Sequence, residues 1–112
     1  MNENYWYLAK AAVFKAMLKI CDAKDRTFSP SEILKETRDN SKIYGQVRVA
    51  DVRKLLEGSI ENNQRYVLKA GEGVSAGYRL DMDRSKDIRE YIKNAVRLYK
   101  RKRSDDFRDQ GF

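Results

Sequence analysis

The 112-residue chain has no histidine, one cysteine and one proline. Without imidazole there is no Ser-His-Asp triad, no Cys-His dyad, no histidine-ligated metal and no histidine pH sensor. A lone Cys21 excludes an intrachain disulfide and a paired-cysteine metal knuckle or redox couple. No run approaches ~18 apolar residues, the length of a membrane-spanning candidate. The opening Met1-Asn2-Glu3-Asn4-Tyr5-Trp6 is acidic and aromatic where a secretory signal is basic and then aliphatic. The expectation is a soluble cytoplasmic chain in a reducing compartment.

Catalytic constellations are equally scarce. Gly71-Glu72-Gly73 has no following Lys-Ser or Lys-Thr, so it does not form a phosphate-binding glycine loop. Asp81 and Asp83 lie two apart, but two carboxylates alone do not define a metal site. The chain is expected to be a binder, with no enzyme activity, no cofactor, no metal and no small-molecule ligand.

What is present is charge. Charged residues make up 37% of the chain, against a usual ~25%, and 24 Lys plus Arg oppose 17 Asp plus Glu for a net +7. The excess is local. Residues 1–83 hold 14 basic and 12 acidic side chains, residues 84–103 hold nine and two, and residues 104–112 hold one and three. The net charge of the 84–103 segment therefore equals that of the whole chain. At 41% hydrophobic, with seven Tyr, four Phe and one Trp, there is enough apolar mass for one folded domain.

Apolar periodicity divides the chain into elements. Ala9, Ala12, Val13, Ala16, Met17, Ile20 and Cys21 form one stripe of a helix over 5–21, with Cys21 as a small core residue at its edge. Phe28-Ser29-Pro30-Ser31-Glu32-Ile33 predicts a second helix from Pro30 to about Asp39. Ser29 is the N-cap, Pro30 takes the first helical position, Glu32 closes a capping box, and Phe28 with Ile33 forms a hydrophobic staple. Val49, Val52, Leu55, Leu56 and Ile60 carry a third helix. It is expected to start between Gly45 and Arg48 and end near Glu61-Asn62-Asn63 in a left-handed asparagine cap.

Tyr66-Val67-Leu68 and the 74–80 run, on either side of the glycine turn, predict a β-hairpin over 65–80. From Asp83, with Asp83 or Ser85 as cap, Ile88, Tyr91, Ile92, Ala95, Val96, Leu98 and Tyr99 oppose Lys86, Arg89, Lys93, Arg97 and Lys100 on an amphipathic helix. Residues 104–112 are expected to be a flexible tail. The fold class is α+β, mainly α.

Helix, capped helix, helix and glycine-turned hairpin form the element order of a winged helix-turn-helix domain. Gly77-Tyr78-Arg79-Leu80 resembles the returning wing strand of bacterial winged-helix transcription factors. The resemblance covers 5–83 and implies that the helix at about 46–61 is a recognition helix and the hairpin is a wing. Recognition helices present their N-terminal residues to base edges. The implied readers are Lys42, Tyr44, Gln46, Arg48 and Lys54, where glutamine suits adenine and arginine suits guanine. Arg53, Lys69 and Arg79 are implied phosphate contacts. Glu72 at the wing tip opposes approach to a backbone with one negative charge per ~1.7 Å.

The basic 84–103 helix admits three readings. It packs on the first helix, within the chain or in a twofold mate, and turns Arg89, Lys93 and Arg97 toward phosphate. It lies on an anionic membrane. Or its cations simply solubilise an outer face. The first is preferred, with Ile88, Ile92, Ala95 and Tyr99 as a homodimer stripe. The expectation is thus a sequence-specific double-stranded-DNA-binding protein, a small homodimeric transcriptional regulator. The alternative is a winged-helix protein-interaction adaptor in a replication, partition or other nucleoprotein assembly.

Overall fold

Three-to-four apolar spacing becomes four helices, and the aromatic run around the glycines becomes a hairpin. The computed structural model describes the backbone of residues 3–40, 47–62 and 65–109, and the side chains of 8–39, 47–62 and 65–98. In chain order the elements are α1 (Glu3–Ala23), α2 (Pro30–Asn40), α3 (Val49–Glu61), β1 (Val67–Ala70), β2 (Gly77–Leu80) and α4 (Ser85–Asp109). Short 3-10 turns lie at Gly73–Ser75 and Met82–Arg84. The protein is mainly helical with one small antiparallel sheet. Among the described residues no helix is long and apolar enough to cross a membrane.

α1 is buried more completely than one stripe allows. Beside Ala9, Ala12, Val13, Ala16, Met17 and Cys21, it also buries Ala11, Phe14 and Leu18. The reason is that α1 is packed against three elements, α2, α4 and β2. Phe14 meets Tyr91 of α4 edge to face, with ring centroids 5.5 Å apart, and Tyr91 also tilts against Tyr66 at 5.8 Å. Such aromatic pairs add about 0.5–1.5 kcal/mol beyond their buried area.

The start of α2 follows the sequence closely. The Glu32 N–H donates to Ser29 Oγ at 3.2 Å, and the Ser29 N–H donates to Glu32 Oε1 at 3.1 Å, which closes the capping box. Phe28 and Ile33 are both buried as the staple requires. Arg26 adds a second clamp, with Nη2 2.7 Å from Glu32 Oε2 and its guanidinium over the Phe28 ring. The Arg26 hydrogen bond holds the Glu32 carboxyl down at about 2, helped by the Ser29 amide.

The hairpin pairs Val67 with Leu80 and Ala70 with Gly77. Gly71 and Gly73 turn the chain with φ of 81° and 66°, the left-handed region that glycine enters without strain. β2 starts at Gly77, so Val74 stands exposed in the turn and not in a strand. On its other edge β2 meets the α1–α2 connection: the Phe28 N–H donates to Tyr78 O at 2.7 Å, and the Tyr78 N–H donates to Phe28 O at 2.8 Å. Gly77 permits this approach, because a Cβ there would sit 2.7 Å from Thr27 Oγ1.

Three boundaries differ from the sequence-based expectation. α3 starts at Val49, where Arg48 is the extended N-cap and its N–H donates to Asp51 Oδ2 at 2.9 Å. At the end of α3, Asn62 has φ −83° and its N–H returns to Gly58 O, while Asn63 of the expected left-handed cap lies outside the described residues. Asp81, rather than Asp83 or Ser85, does the capping before α4, by accepting the Asp83 N–H across the 3-10 turn. Finally, α4 runs past residue 103 to Asp109, because Ser, Asp, Phe and Arg there contain no helix breaker.

Two stability outcomes follow. Ser29→Ala should lower the unfolding free energy by ~1 kcal/mol in denaturant melts. Because the Glu32 pKa lies below its ordinary 4.5, its contribution is complete above that value and fades as pH falls toward about 2. Acid titration of Glu32→Gln should lack that component. Gly77→Ala should cost about 1–3 kcal/mol by overpacking against Thr27, with part regained in the Gly77→Ala/Thr27→Ala double variant; an unchanged melting temperature in the single variant would contradict the close approach.

Candidate nucleic-acid interface

α3 buries Val52, Leu55, Leu56 and Ser59 and leaves Ala50 and Lys54 exposed one turn apart. Arg48 is exposed at its N-terminal end, with the Asp51 carboxylate engaged in capping beside it. Among the expected base readers, Arg48 and Lys54 are therefore both exposed, six residues apart. Lys42, Tyr44 and Gln46 lie outside the described residues. Two side chains not singled out from the sequence position α3. Arg38 of α2 donates from Nη2 to Val47 O at 3.0 Å and latches the segment that enters α3. Val47 itself is buried in the core. The periodic pattern held no signal for Arg38, since a long polar side chain at a helix end reaches its partner only through the tertiary fold.

The second such residue is Glu57, on the side of α3 that faces the hairpin. Tyr78 donates its hydroxyl to Glu57 Oε1 at 2.6 Å, and Lys69 Nζ lies 2.8 Å from the same oxygen. Lys69 and Tyr78 are cross-strand partners, and directly opposite residues share one face of a hairpin, which is how both reach one carboxylate. Lys69, then the Tyr78 hydroxyl, holds the Glu57 carboxyl below its usual range. Burial, then the hydrogen bond to Glu57, pushes the Tyr78 phenol up to about 12. Arg53, half-buried on the same helix, adds positive potential to both groups, and its Nε has no hydrogen-bond partner among the described residues.

Beside the half-buried Arg53, the other five residues expected to contact phosphate divide into two sets. Lys69 is held by Glu57, and Arg79 is held by Asp25 of the α1–α2 connection, Nη1 to Oδ1 at 2.5 Å. Arg89, Lys93 and Arg97 are exposed along one flank of α4. Arg89 reaches a groove of about 430 Å³ between α4 and α1, lined also by Lys15, Leu18, Lys19 and Asp22. α4 seats on α1, whereas α3 seats on α2 and β1, so the two basic features belong to different layers of the fold.

Of the expected dimer stripe, Ile88 and Ala95 are buried within the chain and Ile92 is half-buried against the core. Their apolar surface already covers α1, so a twofold mate could use Ile88 and Ala95 only if α4 undocked. The Tyr99 side chain lies outside the described residues.

The Glu57 link has a measurable signature. Tyr78→Phe should cost about 1.5–3 kcal/mol, the range for a hydrogen bond to a charged group. With a raised phenol pKa, the stabilisation is complete below the ordinary value of 10.0 and is lost as pH rises through about 12. Difference absorbance between the wild type and Tyr78→Phe should place this phenolate near pH 12; its appearance near 10 would exclude the buried link. In comparisons with known proteins, no protein-family model, no curated protein and no solved structure matches this chain.

Proposed function

We propose that this chain is a winged helix-turn-helix protein that reads double-stranded DNA by sequence, with α3 as recognition helix and the hairpin as wing, and acts as a small transcriptional regulator. The observation that carries the reading is the seating of the Gly77–Leu80 strand. It pairs with β1 on one edge and with Phe28 on the other, and through Tyr78 and Glu57 it is tied to α3. The three helices and the hairpin are thereby one rigid unit that leaves the start of α3 facing solvent with Arg48 and Lys54 on it. A helix held this way from behind presents its first turn to a major groove.

Arg48 then supplies base-edge hydrogen bonds, since a guanidinium pairs bidentately with guanine. Lys54 stands six residues, nearly two turns, further along. The wing contributes mainly by bracing α3, because Lys69 and Arg79 are already ion-paired and Glu72 at the tip repels phosphate. One feature favours the adaptor reading for the wing: Leu68 is 46% exposed and Val74 is 82% exposed, an apolar tip suited to a protein contact.

The test is selection of bound duplexes from a random pool. Wild type should enrich a defined motif. Arg48→Ala should relax preference at one position of it, at a cost of about 1–3 kcal/mol there. A pool without enrichment, together with no duplex shift at moderate salt, would replace DNA reading by the adaptor function.

A further inference from the structure

The hairpin leaves one sheet edge open, and its hydrogen-bond pattern shows which groups stand on it. β2 is the inner strand: β1 pairs along one of its edges, and on the other Tyr78 exchanges both its N–H and its C=O with Phe28. With its backbone groups turned to Phe28, Tyr78 forms a non-hydrogen-bonded pair with Lys69 opposite. Antiparallel ladders alternate, so Val67 and Leu80 form the next pair of that kind. The bond from Asp81 N–H to Tyr66 O, 2.8 Å and one step beyond, has the phase this requires. The N–H and C=O of Val67 and Lys69 therefore point away from β2, along the outer edge of β1. Among the described residues no backbone partner beyond the hairpin meets them.

Sheets commonly guard an open edge with proline, a bulge or a charge. β1 has neither proline nor bulge, and its register runs unbroken from Val67 to Ala70. Its one charge, Lys69, is held by Glu57 of the same chain at 2.8 Å, on the face it shares with Tyr78. Leu68, on the opposite face, is 46% exposed. This edge is self-complementary. Leu68 lies midway between the two residues with outward backbone groups, so a twofold axis there sets Val67 opposite the partner's Lys69 and Lys69 opposite the partner's Val67. Every outward N–H then meets an outward C=O. Leu68 faces its own copy in a non-hydrogen-bonded pair, where Cα atoms approach to ~4.5 Å and side chains touch. An axis at Lys69 would instead oppose lysine to lysine. Charge agrees with the first register: Arg65, two residues before β1, and Glu72, two after it, are both exposed, and antiparallel pairing brings one to the other at each end.

We propose that the outer edge of β1 docks a second copy of this chain, which joins the two hairpins into one four-stranded antiparallel sheet about a twofold axis at Leu68. A strand of another protein would need only the backbone groups; the central leucine and the mirrored Arg65 and Glu72 favour an identical strand. The proposal is independent of the DNA reading. It places the twofold contact on the hairpin, where no part of the core has to undock, in contrast to Ile88 and Ala95.

The experiment is sedimentation of the full chain over a concentration series, where wild type should pass from monomer to dimer by high micromolar concentration. Leu68→Lys sets two ammonium groups face to face and should weaken association about tenfold, with unchanged circular dichroism. Arg65→Glu and Glu72→Arg should each weaken it by about the same factor, whereas an equimolar mixture of the two should regain the dimer, because each variant restores opposite charges to the other at both ends. Under mild oxidation Leu68→Cys should form an intermolecular disulfide, and Ala70→Cys should not, since its two copies would stand about 14 Å apart along the strands; the native Cys21 is buried and does not compete. A wild type that stays monomeric at high micromolar concentration overturns the proposal, as does a dimer that Leu68→Lys leaves unchanged. Should Leu68→Lys misfold, the mixture decides, and no gain on mixing overturns the edge contact. Selection of bound duplexes tests DNA reading separately and is untouched by any of these outcomes.

Discussion

The structure depends on the burial of a single helix on almost every side. From Leu8 to Cys21, α1 leaves Lys15 and Lys19 exposed and buries nearly everything else, including four alanines and Phe14. A helix so apolar is stable only between neighbours, and the chain supplies them in α2, β2 and α4. The alanines let helices approach closely, and the Phe14–Tyr91 contact gives α4 a defined seat. α4 is therefore part of the core that carries the candidate interface, although its own mean composition is strongly polar and basic.

A second constraint is the distribution of ion pairs. Glu57 holds Lys69, Asp25 holds Arg79, Glu32 holds Arg26, and Glu36 lies beside Lys19. Each is a surface or half-exposed pair whose contribution to stability is modest, yet together they decide which cations remain turned outward. The hairpin's basic residues are directed inward to α3 and to the α1–α2 connection. The described ones of α4, Lys86, Arg89, Lys93 and Arg97, are exposed. A count of charges along the sequence treats Lys69 and Lys93 alike, whereas the fold separates them into a brace and a surface.

Much of the element order was legible from local rules. The α2 cap and staple rest on contacts within five residues and the glycine-turned hairpin on pairs 7 to 13 residues apart, and each formed as the residue types dictate. What local rules missed has a common cause. The second buried stripe of α1, Ala11, Phe14 and Leu18, has helical spacing and was open to detection, but it needed a partner to be meaningful, and that partner is about 75 residues away in α4. Arg38 and Glu57 could not be recognised at all, since their roles consist of reaching the segment before α3 and the hairpin. The start of α3 shifted to Val49 because Asp51 caps Arg48, a pairing that competes with the glycine at 45 as a helix start.

By itself the sequence determined the number and type of elements, the confinement of net positive charge to residues 84–103, and the exclusion of histidine- and disulfide-based chemistry. Those follow from composition, periodicity and capping, which act over one or two turns. Only the tertiary structure decided which face each element turns outward. The apolar surface of α1 had to be covered, and covering it placed α4, α2 and β2 against α1, while α3 packed on α2 and β1. The same packing placed Ile88 and Ala95 inside the chain, gave Lys69 and Arg79 to internal carboxylates, and brought Lys15 beside Arg89. These arrangements arise from long-range burial, where the hydrophobic gain of closing one core outweighs what any local pattern prefers.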